Sequence, residues 1–256
     1  DGARDQARRG RTELELALEY AGSAASYDGP VTLGVTGRAA VEEPGRVERG
    51  ARMDNVELGG RGYGAFDTPV HTGWRALEKL TGGRIGSWNG PRPFQRYEIE
   101  RTIEALSKCR AEGTAWRDHA YRHDRHTAEL LAERGSTHFS DAVGPDERVR
   151  REAGLTVVPV NTPPDHEHVY HAFRTPESGA VREFEGPFGG ESVAVGEWLA
   201  WALDEMKARV DDGRVATVLA HPACMQLADG FETFEMLCDR LSAETIQPMT
   251  AVTTDT

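Results

Sequence analysis

At 256 residues the chain is long enough to bury one large core, and 42 acidic residues against 30 Lys and Arg leave a formal charge of −12. That balance excludes nonspecific nucleic-acid binding, which needs a basic face. No apolar run approaches the ~18 residues that span a bilayer. Lysine occurs only at Lys79, Lys108 and Lys207. A carboxylate-rich, lysine-poor surface stays hydrated in concentrated salt, which points to a halophilic, haloarchaeal source.

Thr12 with Glu15 makes a capping box, and Leu14, Leu16, Leu18 and Tyr20 follow in a helix expected to end near Gly22. After the turn at Asp28-Gly29-Pro30 comes a strand at Val31–Val35, then a short helix from Pro44 to Met53 and a strand at Asn55–Leu58. That strand breaks into Gly59-Gly60-Arg61-Gly62-Tyr63-Gly64, a run that needs unusual backbone angles or a close approach. Thr68–Leu80 is helical. Ile99, Ile103, Leu106 and Cys109 recur at helical spacing, after a loop holding Trp88 and Phe94.

The stretch Trp116 to Gly135 then packs four arginines, two aspartates, a tyrosine and His119, His123 and His126 behind the apolar lead-in Gly113–Trp116. The lead-in reads as a buried strand delivering polar groups to one spot, and a helix through Leu130 and Leu131 follows, stopped at Gly135. A strand near Thr137–Phe139, a helix from Asp141 through Val149 and a buried strand at Leu155–Val160 come next. Residues 161–192 are the longest irregular region. A long helix through Val195 and Met206, a strand at Val215–Ala220, a helix through Phe234 and Leu237, and a strand at Ile246–Val252 complete the pattern. About seven strands alternate with helices, which predicts a single α/β domain over 1–256, a parallel sheet closed as a barrel, with a further strand expected just before Asp1. Cys109, Cys224 and Cys238 are widely spaced and read as buried thiols of a reducing, cytoplasmic compartment.

Five of these strand ends, in order, resemble the polysaccharide deacetylase family (the NodB-homology or carbohydrate esterase 4 group). Asp1-Gly2 looks like the end of T-F-D-D-G, and Val31–Gly37 is similar to A-T-F-F-V-x-G. Glu57–Ala65 aligns with H-E-[IL]-G-x-H-x-x-x-H. Arg117-Asp118-His119-Ala120-Tyr121 sits where R-x-P-[YF] belongs, with Ser140-Asp141 after it, and Leu219-Ala220-His221 looks like L-x-H. The resemblance implies a distorted (β/α) barrel that removes acetyl groups from sugars with a divalent metal, and it implies a general-acid role for His221. It also exposes a departure: the family's two metal histidines fall on Arg61 and Ala65. A guanidinium cannot coordinate a cation.

Two readings of function follow. In the first the chain is a hydrolase: His221 is the acid, and Arg117 orients a carboxylate such as Asp118 or Asp165. A metal such as zinc then needs other ligands, drawn from Asp1, His119 with His123 on one helical turn, and His166 with His168 on one side of an extended segment. A further option is that Arg61 replaces the metal's charge and handles an anionic substrate. In the second reading the barrel has lost its chemistry and binds a glycan or serves as an interaction module. Tyr63, Trp88, Phe94 and Tyr121 then offer stacking surface. Either reading expects a small-molecule or glycan ligand, with no nucleic acid and no membrane, and leaves a homo-oligomer open.

Overall fold

The computed structural model describes residues 2–175 and 186–254; the Asp1 expectation and the strand before it lie outside them. Two short helices, Gly2–Arg8 (α1) and Glu13–Ala25 (α2), precede the first strand, Val31–Val35 (β1). Thr12 caps α2 by accepting from the Glu15 N–H at 3.2 Å. The helix runs past Gly22 because Ala21 and Ala24 are buried in the core and hold the extra turn. Gly37–Glu42 (α3) and Pro44–Gly50 (α4) lead to Val56–Gly60 (β2), which lies parallel to β1 with Val31 opposite Val56 and Val35 opposite Gly60.

Pro69–Leu80 (α5) and Arg92–Lys108 (α6) then pass to Ala115–Trp116 (β3), followed by Thr127–Glu133 (α7), His138–Phe139 (β4), Arg150–Glu152 (β5) and Leu155–Val157 (β6). The sheet runs β1-β2-β3-β4-β6-β5; every pairing is parallel except β5 with β6. The short turn Asp165–His168 (α8) and the helices Val195–Asp211 (α9), Pro222–Asp229 (α10) and Glu232–Leu241 (α11) follow. This is an α/β fold with a mostly parallel six-stranded sheet. None of the described helices is long and apolar enough to cross a membrane.

Three expected elements take other forms. Residues 215–220 are not a strand. They run beside 161–165, held by Asn161 Nδ2 donating to Val215 O (2.8 Å), Thr162 Oγ1 donating to Thr217 O (2.6 Å) and the Thr217 N–H donating to Asn161 Oδ1 (3.0 Å). Pro159, Pro163 and Pro164 have no N–H to give a ladder, so side chains substitute for it. Residues 246–252 turn at Pro248 into a single 3-10 turn, anchored where the Met249 N–H meets Thr32 Oγ1 (2.9 Å) and His138 Nε2 meets Val252 O (2.9 Å). The helix expected from Asp141 is broken by Gly144-Pro145, and the chain enters β5 instead.

The core has two parts. One gathers Leu16, Tyr20, Trp198, Met225 and Phe234 between β1 and the outer helices, with Tyr20 stacked on Phe234 at 3.6 Å. The other joins Trp116, Leu130, Leu131, Phe139 and Leu155 across the middle of the sheet. Two glycines let β2 and β3 meet: a Cβ on Gly59 would stand 2.8 Å from Ala115 O, and one on Gly60 would stand 2.2 Å from the Trp116 ring. With Trp116 wedged there, the carboxyl ends of β2, β3 and β4 open on one rim.

Candidate functional site

That rim receives Arg61 from β2, Arg117 and Asp118 from β3, and Ser140 and Asp141 from β4. The glycine-rich run after β2 is tied back to α3: the Gly37 N–H donates to Gly62 O (3.0 Å) and the Arg38 N–H to Tyr63 O (2.9 Å), with Gly62 at φ 73°. Arg38 and Asp67 close the loop through a two-bond pair at 2.8 and 2.9 Å. The Arg61 stem lies on Gly34, where a Cβ would meet its Cδ at 3.4 Å.

His221 and Asp165, 56 residues apart in sequence, form a pair held by two contacts. The His221 N–H donates to Asp165 Oδ2 and the His221 Nδ1 meets Asp165 Oδ1, both at 2.7 Å. Asp165 is fully buried and His221 keeps about a fifth of its side chain in contact with solvent. His221 is the residue before α10 and Asp165 opens α8, and the Asp165 N–H donating to Leu219 O at 3.4 Å holds the two chain segments together.

Arg117 orients neither Asp118 nor Asp165, as had been expected. Its Nε donates to Ser140 O (2.9 Å) and its Nη2 to Ser140 Oγ (2.5 Å), and burial lowers its pKa. Asp118 is buried: Oδ1 accepts from Trp116 Nε1 at 3.0 Å, its backbone N–H donates to Asp141 Oδ1 at 2.9 Å, and Oδ2 has no partner. Burial, and then the neighbouring Asp141, hold the Asp118 carboxyl well above the ordinary range. His123 stands against Asp141 Oδ2 at 3.4 Å, and that contact raises its pKa.

Ala120 and Tyr121 occupy the left-handed region in succession, at φ 52° and 54°. Such strain in consecutive non-glycine residues persists only where surrounding structure holds it. Here Tyr121 and Glu167 lie within electrostatic reach of each other, and Glu167 Oε2 is buried and unpartnered. Burial raises both groups; for Tyr121 the Glu167 charge adds to it. Glu167 was not singled out by the sequence. Its proximity to Tyr121 depends on the α8 turn, and its neighbours in sequence are histidines that draw attention first.

The histidine pairs expected to share a metal separate. Residues 165–168 form a helical turn rather than an extended segment, and residues two apart lie roughly 200° round a helix. His166 Nδ1 therefore meets Cys224 Sγ at 3.4 Å with its ring 5.2 Å from that of His221, whereas His168 Nδ1 meets Glu191 O at 2.8 Å and its ring sits 5.0 Å from Trp201. The turn at His119–Tyr121 is only three residues long, so His119 packs edge-on to Phe66 while His123 goes to Asp141. Among the described residues no group of three or more His, Cys, Asp or Glu side chains could hold a metal ion. With Arg61 and Ala65 at the positions the resemblance assigns to metal histidines, the described donors do not fit a divalent metal.

The aromatic candidates are already engaged. Arg101 lies 3.6 Å above the Tyr63 ring and donates to its hydroxyl at 2.5 Å; Arg122 and Arg75 lie over Trp88 at 3.9 and 4.6 Å. Phe94 packs against His71 at 5.0 Å.

Burial, then the Arg61 charge, pushes His119 down to about 3; burial, then His221, pushes His166 down to about 4. A histidine lowered on folding binds fewer protons folded than unfolded below its ordinary pKa of ~6.5, so its effect is to lose stability as pH falls from there. His123, raised on folding, acts in the opposite sense: it adds stability below ~6.5 that is lost as pH rises through its folded value. The substitution His119→Gln is therefore expected to gain stability relative to the native chain as pH drops from 6.5 to 4. Urea midpoints at each pH check this; a native-minus-variant difference that stays constant over that range refutes it.

No family model matches the sequence, and no curated protein matches it. Solved structures do. A polysaccharide deacetylase from Mycobacterium smegmatis superposes with a TM-score of 0.67 at 20% identity, covering 93% of this chain and 76% of that one. Puue allantoinase gives 0.58 at 12% identity over 93% of this chain and 68% of its own. A polysaccharide deacetylase from Pseudomonas aeruginosa PAO1 gives 0.57 at 14% identity over 94% and 70%. At these identities the likeness establishes the fold: a deacetylase-type (β/α) barrel.

Proposed function

We propose that this chain is a hydrolase that removes acetyl groups from N-acetylated sugars or cleaves a related non-peptide amide. The observation that carries the reading is the buried Asp165 holding His221 through two 2.7 Å contacts at the rim where β-strand ends converge. Amide hydrolysis needs a proton for the departing amine and an acceptor for the proton of the attacking water. Asp165 engages His221 Nδ1 and fixes the ring, so Nε2 is the nitrogen that delivers a proton to the amine. Glu167, close to Tyr121 and with a buried oxygen that has no partner, accepts the proton of the water. The water oxygen bonds to the acyl carbon as the carbon–nitrogen bond breaks, and the proton given by His221 leaves with the amine.

A second reading has its own support: Arg61 and Ala65 at the metal positions favour a barrel that binds a glycan without cleaving it. Acetate release from N-acetylated sugars, with metal analysis and a chelator arm, separates the two. The expected result is release that survives chelation. No release from any N-acetylated sugar would sink the hydrolase reading in favour of the binder. Release lost on chelation would show that a metal is held by ligands other than those weighed here.

A further inference from the structure

Arg61 stands out among the cations of the rim because no described residue neutralises it. Arg38 is matched with Asp67, and Arg117 is bonded to Ser140. No described carboxylate pairs with Arg61, and its Nε is buried without an acceptor. A half-buried guanidinium gives up hydration that only a counter-charge restores, so an unpaired one in a cleft is a place for an anion. The side chain is also held in place, its stem seated on Gly34 and its backbone N–H bonded to Val35 O at 3.0 Å.

Arg61, Trp116, Asp118 and His119 line a cavity of about 30 Å3. Asp118 is 6% exposed, and its Oδ2 has no partner. One water needs ~10–15 Å3 of such space, so the cavity has room for a group the size of a carboxylate. The other charges lining it do not oppose an anion strongly. Glu98 stands 3.2 Å from His71 Nε2, His119 stays uncharged at neutral pH, and burial beside Asp141 pushes the Asp118 carboxyl well above the ordinary range, in favour of its uncharged form.

We propose that the cavity lined by Arg61 and Asp118 is a carboxylate subsite, so that the cleft selects acylated amino compounds carrying a carboxylate, with Arg61 gripping it. The term substrate here rests on the hydrolase reading above; the anion subsite itself does not. A planar guanidinium matches a carboxylate with two parallel hydrogen bonds, which a lysine cannot reproduce.

The test has two arms. In the first, formate is titrated against the purified native chain at constant ionic strength, with chloride as control, and followed by tryptophan fluorescence and Tm. Saturable binding is expected in the native chain, weakened about 10–100-fold in Arg61→Gln and only partly restored in Arg61→Lys. The second arm compares kcat/KM for an N-acetylated hexosamine with that for the same sugar bearing a carboxylate. The charged sugar is expected to be favoured at least tenfold, through KM, with the preference abolished in Arg61→Gln.

Absence of formate binding by the native chain overturns the proposal without any variant having to fold, and so does equal binding by native and Arg61→Gln. Formate binding that depends on Arg61, with neither sugar hydrolysed, removes the hydrolase reading and leaves the subsite standing. Hydrolysis of both sugars at equal efficiency with no formate binding does the reverse.

Discussion

Replacing His221 by Ala is expected to lower kcat for acetate release by about 10^2–10^4-fold, the range removed with a positioned proton donor, while leaving the fold intact. The side chain is partly exposed, so its loss opens no cavity in the core. The cost falls instead on Asp165, whose carboxylate loses its ring partner yet keeps the bond from the backbone N–H of residue 221, a contact any amino acid preserves. Asp165→Asn separates positioning from charge. The amide keeps the shape of the carboxylate but cannot reproduce its charge on the ring, so kcat is expected to fall by a smaller factor with the KM little changed and the pH–rate profile displaced. Acetate release by His221→Ala at the native rate removes the acid assignment, and an unfolded circular dichroism spectrum for that variant shows a structural role instead.

The second large effect is on stability and needs no assumption about activity. A methyl on Gly60 would sit 2.2 and 2.3 Å from two carbons of the Trp116 ring, distances at which one group must move. Trp116 is 1% exposed, its indole N–H is held by Asp118 Oδ1, and it packs in the cluster with Phe139 and Leu155. It has nowhere to go without parting β2 from β3. Gly60→Ala is therefore expected to destabilise the chain by about 3 kcal/mol, at the upper end of overpacking costs, and to weaken any ligand binding at Arg61, the next residue. By contrast Gly73→Ala, at a helical position with nothing within 4 Å, should be neutral or slightly stabilising. Urea unfolding of the two variants side by side checks the contrast; equal midpoints refute it.

The alternation of strands and helices was readable because its signals are local. Thr12 caps a helix as its spacing predicts, and the helix expected through Leu130 and Leu131 forms with both side chains fully buried. Expectations failed where proline and glycine overrode apolar runs, at Pro159–Pro164, Pro248 and Gly144-Pro145. The site was legible in pieces. Arg117 reaches the rim because a strand end delivers it and His221 because it precedes a helix, but their partners depend on distances that no spacing encodes. Asp165 meets His221 across 56 residues, and Arg117 prefers Ser140 to the aspartate beside it. His166 and His168 separate for a simpler reason: one helical turn in place of an extended segment sends alternate residues apart. Glu167 is brought to Tyr121 with the backbone at Ala120 and Tyr121 in the left-handed region, a conformation neither residue announces.

The strand at the far edge of the sheet has a consequence for how this molecule behaves in a crowd. β5 is three residues long, reads Arg150-Arg151-Glu152 and is the sole antiparallel member of the described sheet. Arg150 is held between Glu147 and Glu152, and Arg151 reaches back to Gly154 O and Thr156 Oγ1. An incoming strand from another molecule would have to displace or desolvate these charges before it gained a single backbone hydrogen bond. A short, charged terminal strand of this kind guards a sheet against edge-to-edge growth into aggregates.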